Sequence, residues 1–245
     1  MVKEELYAKQ WKRRHDLNER ALYAYLHTKL NAETKRYIKA LENRNPSTFH
    51  ITSFFSDKWM TEILKDAYKK FGLKQFSFLD SYSKKASDNP DDELAWAVFL
   101  LTFFSDSENF YIILGIIRNI KKDIQRFVDS KLDQGIPTSA IITMLGLYLM
   151  QNNIVRSSTI ARTETTRIMN NASLVWANKQ NKGLTKKWIV VLDGRERPSH
   201  NAMASYPSIP LNEKFLVGGT FMNAPGDSSA PPQEVVNCRC GLMFI

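Results

Sequence analysis

From Lys186 to the C-terminus the sequence loses the three-to-four-residue apolar repeat that governs everything before it. In its place stand short apolar runs at Trp188–Leu192, Phe215–Val217 and Thr220–Met222 (about Gly218-Gly219), with a last run near Val235–Phe244. Between them lie a short helical stretch around Ser199–Ser205, a Pro-rich link at 207–210, the turn Pro225-Gly226-Asp227, and Pro231-Pro232. Glycine and proline at such intervals divide strands and turns. Helices and strands so segregated along a chain predict an α+β fold, because an alternating βαβ order is missing. We expect a helical N-terminal region, 1–134, followed by a C-terminal domain, 135–245, of two helices packed on a small, mainly antiparallel sheet.

The helical half divides at its punctuation. Residues 4–43 predict one or two long helices, with Leu17, Leu22, Tyr25, Leu26, Leu30, Tyr37, Ile38 and Leu41 recurring between charged residues, and Pro46 ending the pattern. Lys12-Arg13-Arg14 is followed within a turn by Asp16 and Glu19, the pattern of a solvated, internally paired helix face. Ser56 predicts the cap of a helix over Asp57–Phe71, with Gly72 just past its end. Asn89-Pro90-Asp91-Asp92 combines a capping side chain, proline at the first helical position and two carboxylates at the positive dipole end. Behind it come the most apolar runs, at 94–104 and 110–117, separated by Ser105–Asn109. Neither run reaches the roughly 18 apolar residues of a membrane span, so two buried helices with a break are expected. Gly135-Ile136-Pro137 opens a helix at 140–151 that Asn152-Asn153 should stop, and a second runs from Ser157 or Ser158 to Gln180, with Gly183 beyond it.

With 245 residues, 43% of them hydrophobic and 24% charged, the chain has the composition of a globular protein able to bury a core. The net charge of +9 is spread over both halves, and no dense basic cluster with interleaved aromatics demands nucleic acid. The two cysteines, one residue apart, argue against a secreted disulfide framework. On one strand their Cα atoms would sit nearly 7 Å apart, too far for an unstrained bridge. The first sixteen residues contain no apolar h-region of a signal peptide.

Candidate chemistry concentrates where the first strand ends. Asp193, Arg195, Glu196, Arg197 and His200 follow the apolar run, and Cys238 and Cys240 lie at the far end of the Pro- and Gly-rich excursion. If Asp193, His200, Cys238 and Cys240 converge, two thiolates, an imidazole and a carboxylate would suit tetrahedral zinc. Without metal, Arg162, Glu164, Asp193, Arg195, Arg197 and Arg239 would form ion pairs that fix helix, loop and last strand against one another, with Asn237 satisfying nearby backbone. This reading expects no cofactor. His200 beside Ser199 and the two thiols formally allows nucleophilic catalysis, but no nucleophile elbow, phosphate-binding loop or H-E-x-x-H helix occurs anywhere.

The ordered set IARTETTR (160–167, with Arg162, Thr163 and Glu164), Trp188, DGRERPSH (193–200), Phe215, Pro225-Gly226-Asp227 and NCRCGL (237–242) resembles the head-morphogenesis domain of tailed phages, the Mu F-like minor head proteins. The resemblance covers about 135–245. It departs from the family pattern at Glu196, where threonine is usual, and at Met203-Ala204-Ser205, where a small hydrophobic-Gly element is usual. It implies a virion-head component assembled in the bacterial host cytoplasm, with portal protein and major capsid or scaffold protein as partners, contact with double-stranded DNA during packaging or ejection, no membrane, and no established enzymatic reaction. The alternative is a metal-dependent, zinc hydrolase-like enzyme using Asp193, His200, Cys238 and Cys240. The motif residues are expected to orient the domain's elements and not to catalyse.

Overall fold

The computed structural model describes residues 2–42, 54–83, 90–180 and 183–245. Five helices come first: α1 (Val2–Glu42), α2 (Asp57–Tyr82), α3 (Pro90–Ser105), α4 (Ser107–Asp133) and α5 (Thr138–Lys179). The remainder is β1 (Thr185–Ile189), α6 (Pro198–Asn201) with a single 3-10 turn after it, β2 (Ile209–Pro210), β3 (Phe215–Val217), β4 (Thr220–Met222), α7 (Pro232–Val235) and β5 (Gly241–Phe244). The expected α+β class is what the chain adopts. Pro46 and Asn89, read as a stop and a cap, lie outside the described residues.

The two helices expected after Pro137 are one helix of 42 residues. Asn152 and Asn153 do not stop it, because Asn153 is buried and its Nδ2 donates to Asn31 Oδ1 (2.9 Å) and Thr34 Oγ1 (3.0 Å) of α1. A residue that competes with helical backbone when solvated is satisfied sideways when a second helix supplies acceptors. That second helix, α1, lies along α5. Its buried positions are Tyr7, Trp11, His15, Asn18, Leu22, Leu26, Leu30, Glu33, Thr34, Tyr37 and Leu41, at spacings of three and four along nearly its whole length. The expected stripe was partly wrong, since Leu17 is 56% exposed while His15 and Asn18 face inward. Of the basic run, Lys12 pairs with Asp16 at 2.6 Å as expected. Arg14 instead reaches across to donate to Lys74 O (2.8 Å) and covers the Phe78 ring.

Ser56 caps α2 as expected, its hydroxyl accepting from Trp59 N at 3.2 Å. The helix passes through Gly72, however, and continues to Tyr82. Glycine stands there for space: the Trp96 indole of α3 lies on it, and a Cβ would fall 2.1 Å from Trp96 Cε2. The same indole donates to Tyr68 O at 3.1 Å, which locks its position. α3 and α4 meet at a bend of 60°, with the expected break between the two apolar runs, but the expectation that both runs are buried fails in part, since Leu94, Val98 and Leu101 of α3 and Tyr111 of α4 are exposed.

The three-stranded sheet has the order β2-β1-β5, antiparallel throughout, with Trp188 opposite Leu242 and Ile189 opposite Gly241; β3 and β4 form a separate hairpin. The ladder begins earlier than the sequence suggested, at Thr185, and Val190 and Val191 continue buried beyond its end while Leu192 is exposed. Successive strand residues face opposite sides. Trp188 and Leu242 pack with Phe215, Val217 and Met222 of the excursion, whereas Ile189, Val191 and Met243 pack with Tyr7 and Trp11 of α1 and Met169 of α5. Both faces are therefore covered, which explains an uninterrupted apolar run on so small a sheet.

Replacing Gly72 by alanine removes the helix cost of glycine, about 1 kcal/mol in an open helix, yet forces a methyl into Trp96. We expect Gly72→Ala to lower unfolding free energy by about 1–3 kcal/mol in denaturant titration, the usual effect of overpacking.

Candidate functional site

Two segments converge on α5 at the level of residues 162–170, the turn at Pro225-Gly226 and the turn 237–240, and the loop after β1 meets the second of these through Asp193 and Arg197. The last strand expected near Val235 starts only at Gly241, so Asn237–Cys240 form a turn, with Asn237 at φ +62°. α5 grips this turn by its backbone. Thr163 Oγ1 accepts from Asn237 N (3.0 Å), Thr166 donates to Cys238 O, and Asn170 Nδ2 donates to Cys240 O and Pro225 O (3.1 Å each). Arg162 Nη1 donates to Asn237 Oδ1 at 3.1 Å. Thr163, Thr166 and Asn170 thus present one helix face that reads main chain, and Arg162 beside them binds the Asn237 side chain.

α1 closes the arrangement from the other side. Glu19 takes Arg162 Nε at 2.8 Å with one oxygen and faces Arg239 Nε at 3.8 Å with the other. Trp11 Nε1 donates to Arg239 O (3.0 Å), and Tyr7 OH to Leu242 O (2.7 Å). Gly241 is the residue that admits this indole, since a Cβ there would sit 2.2 Å from Trp11 Cε2. His15 is buried with Nε2 2.8 Å from Thr166 Oγ1 and Nδ1 3.5 Å from Glu19 Oε2. Burial pulls its pKa down to about 3; Asp16 opposes that, and Arg239, Arg162 and Lys12 reinforce it.

The expected ionic network exists in rearranged form. Asp193 binds Arg195 (2.9 Å) and approaches Arg239 Nη1 (3.6 Å). Burial works against that carboxylate's charge, but the two arginines hold its pKa below the usual range. Arg197 donates to Val236 O and contacts no carboxylate among those expected for it. Glu164 faces away from the loop. It accepts from Tyr68 OH of α2 at 2.7 Å and pairs with buried Arg167, whose Nε donates to Gly226 O at 2.9 Å. Burial opposes the charge of Arg167, yet Glu164 and Tyr68 outweigh it and hold its pKa above the ordinary value. Glu196, the departure from the family pattern, closes its own turn by accepting from Asp193 N at 3.2 Å. Met203, the other departure, is a core residue packed with Trp188 and Phe215.

Of the four residues considered for zinc, three meet. His200, Cys238 and Cys240 are buried together, with ligand atoms within 4.8 Å of one another, while Asp193 stays with its arginines. The hydrogen bond between the thiols, aided by burial, pushes the Cys238 pKa up, and the same bond holds that of Cys240 down. Trp188 stacks edge-on against His200 at 5.4 Å between centroids. Three functional residues escaped the sequence reading. Glu19 looked like the local partner of a basic run; Glu234, 3.1 Å from His200 Nε2, carried no signal; and Lys186, wholly buried, donates to Asn223 O at 2.9 Å with its pKa lowered by burial to about 8.

These pairings, with main-chain carbonyls and amides as the principal partners, define a domain whose motif residues hold an irregular excursion against a helix. The family described as phage Mu protein F like protein matches residues 117–243, just over half of the chain, and the chain belongs to that family. The resemblance seen in the motif order is thereby borne out, and the matched region begins inside α4. Neither a curated protein nor a solved structure matches the chain.

The folded chain keeps His15 neutral down to about pH 3, whereas unfolded histidine takes a proton near pH 6.5. A lowered folded pKa means the unfolded state binds the extra proton, so stability falls as pH drops from about 6.5 towards 3. Unfolding free energies of wild type and His15→Gln, compared from pH 6.5 to 4, should differ in slope by up to about 1.4 kcal/mol per pH unit, wild type being steeper.

Proposed function

We propose that the chain is a minor head protein that docks at the portal vertex and assists packaging or delivery of DNA. The observation that carries this reading is the family match over 117–243, which marks the chain as a phage head protein. In this proposal residues 1–134 supply the docking surface for portal and for major capsid or scaffold protein, and 135–245 form the Mu F-like domain. The protein would join the virion head during assembly in the host cytoplasm. Among the described residues no single helix is long and apolar enough to cross a membrane.

An apolar stripe on α3 supports the docking role. Leu94, Val98 and Leu101 recur at spacings of four and three and are 64%, 55% and 72% exposed, and Tyr111 at the start of α4 is 67% exposed. Clustered side chains of this kind mark contact surfaces more often than scattered ones do. Direct contact with double-stranded DNA would rest on the net charge of +9 and would show as a steep dependence of affinity on salt. Assembly is favoured over hydrolysis by the burial of His200, Cys238 and Cys240 at 1%, 2% and 4% exposure, since a nucleophile has to reach its substrate.

Val98→Asp with Leu101→Asp tests the reading. Exposed substitutions of this kind change stability by about 0.5 kcal/mol or less. The double variant should therefore fold normally, yet be lost from purified heads and from co-purification with portal protein during infection. Wild-type levels of the variant in heads would refute docking through α3, and absence of the wild-type chain from mature and immature heads would refute the whole reading.

A further inference from the structure

The sulfurs of Cys238 and Cys240 each lie 3.5 Å from the same atom, His200 Nδ1. Nδ1 of a neutral imidazole carries one proton or one lone pair, so hydrogen bonding serves both contacts only by sharing it in a weaker three-centre arrangement. A shared ion accounts for both at once. With metal–sulfur bonds of about 2.3 Å, metal–nitrogen bonds of about 2.0–2.1 Å and tetrahedral angles, the nitrogen–sulfur edge is about 3.5 Å.

The opposite side of the ring supplies an independent argument. Glu234 Oε2 lies 3.1 Å from His200 Nε2 and itself accepts from Ser199 Oγ at 2.9 Å. The contact lacks hydrogen-bond geometry, but the negative charge beside Nε2 favours the ring proton on that nitrogen and so leaves the Nδ1 lone pair facing the sulfurs, the tautomer that metal-binding histidines use. The Trp188 ring fixes the imidazole plane from its edge, and the carbonyls of Cys238 and Cys240 are held by Thr166 and Asn170 of α5. All three candidate ligands are thus held in place by contacts other than those among themselves. Asp193, engaged by Arg195 and Arg239, is outside the set.

We propose that His200 Nδ1, Cys238 Sγ and Cys240 Sγ bind a zinc-type thiophilic divalent cation, with a water or another small exogenous ligand in the fourth position. On loading, whatever protons the two sulfurs still carry pass to solvent, and two thiolates neutralise the two positive charges of the ion, which suits a buried location. The site joins α6, at the start of the excursion, to the turn that ends it 38 residues later. Its role is structural. It staples a segment that has little regular secondary structure, and in the unfolded chain the same link would close a long loop.

The test uses the full-length reduced chain without an affinity tag, titrated with cobalt(II) and then zinc. Expected are a thiolate-to-cobalt charge-transfer band that saturates at one ion per chain, its disappearance on adding zinc, and protection of both thiols from a disulfide reagent in the zinc form. Cys240→Ser should abolish the band. Because that variant risks misfolding, Glu234→Gln provides a milder probe and should weaken zinc binding about 10–100-fold, the usual effect of removing an outer carboxylate. Asp193→Asn should bind zinc as wild type does. The proposal is overturned if the folded wild-type chain gives no charge-transfer band and its thiols react equally with and without zinc, or if Asp193→Asn weakens binding as much as Glu234→Gln.

Discussion

Everything in the C-terminal half depends on the contact between α1 and α5, two helices of 41 and 42 residues lying alongside one another. Neither is amphipathic in a simple way. Their seam includes His15 bonded to Thr166, and Asn153 bonded to Asn31 and Thr34, beside Leu22, Leu26 and Leu30. Apolar burial supplies the driving force, and the polar members fix which residues sit opposite which. An unmatched amide in such a seam costs about 1–3 kcal/mol, so a slip of one turn is penalised at several positions.

That fixed seam determines what the rest can do. It presents Arg162, Thr163, Thr166 and Asn170 on one side and Tyr7, Trp11 and Glu19 on the other, and the turn 237–240 is held between them by hydrogen bonds to its backbone and by the contacts of Arg162 with Asn237 and of Glu19 with Arg239. The small sheet is covered by this pair on one face and by the excursion on the other. An excursion rich in glycine and proline buries little surface by regular packing, so charged and polar side chains that read carbonyls take over. The motif residues that first look like an active site therefore act mainly as fixings, and the charged groups point at protein and not into a cleft.

Much of this was legible before any coordinates. The change of period at Lys186, the cap at Ser56 and the β3–β4 hairpin about Gly218-Gly219 follow from local chemistry, whereas the meeting of His200 with the two cysteines is one supposition among several and Asp193 does not join it. What failed has one physical cause: residues whose meaning depends on a distant partner. Asn152-Asn153 reads as a stop because asparagine competes with helical backbone in water, and only Asn31 and Thr34, more than a hundred residues away, remove that competition. Gly72 reads as a terminus because glycine ends helices, and only the Trp96 ring explains it inside one. Glu19 reads as the partner of Lys12-Arg13-Arg14 because sequence shows only neighbours, while its partners are Arg162 and Arg239. Leu17 reads as core by the ordinary ranking of side chains, yet it is exposed while the buried position in that turn belongs to His15, which a polar seam accommodates.

The central claim is that α1, through Glu19, braces the C-terminal domain from outside its own stretch of sequence. A double-mutant cycle between Glu19→Gln and Arg162→Gln, read by denaturant unfolding, tests it most directly. The account predicts non-additive losses with a coupling between about 0.5 and 3 kcal/mol, the range for residues that share a polar network. Strictly additive effects would contradict it.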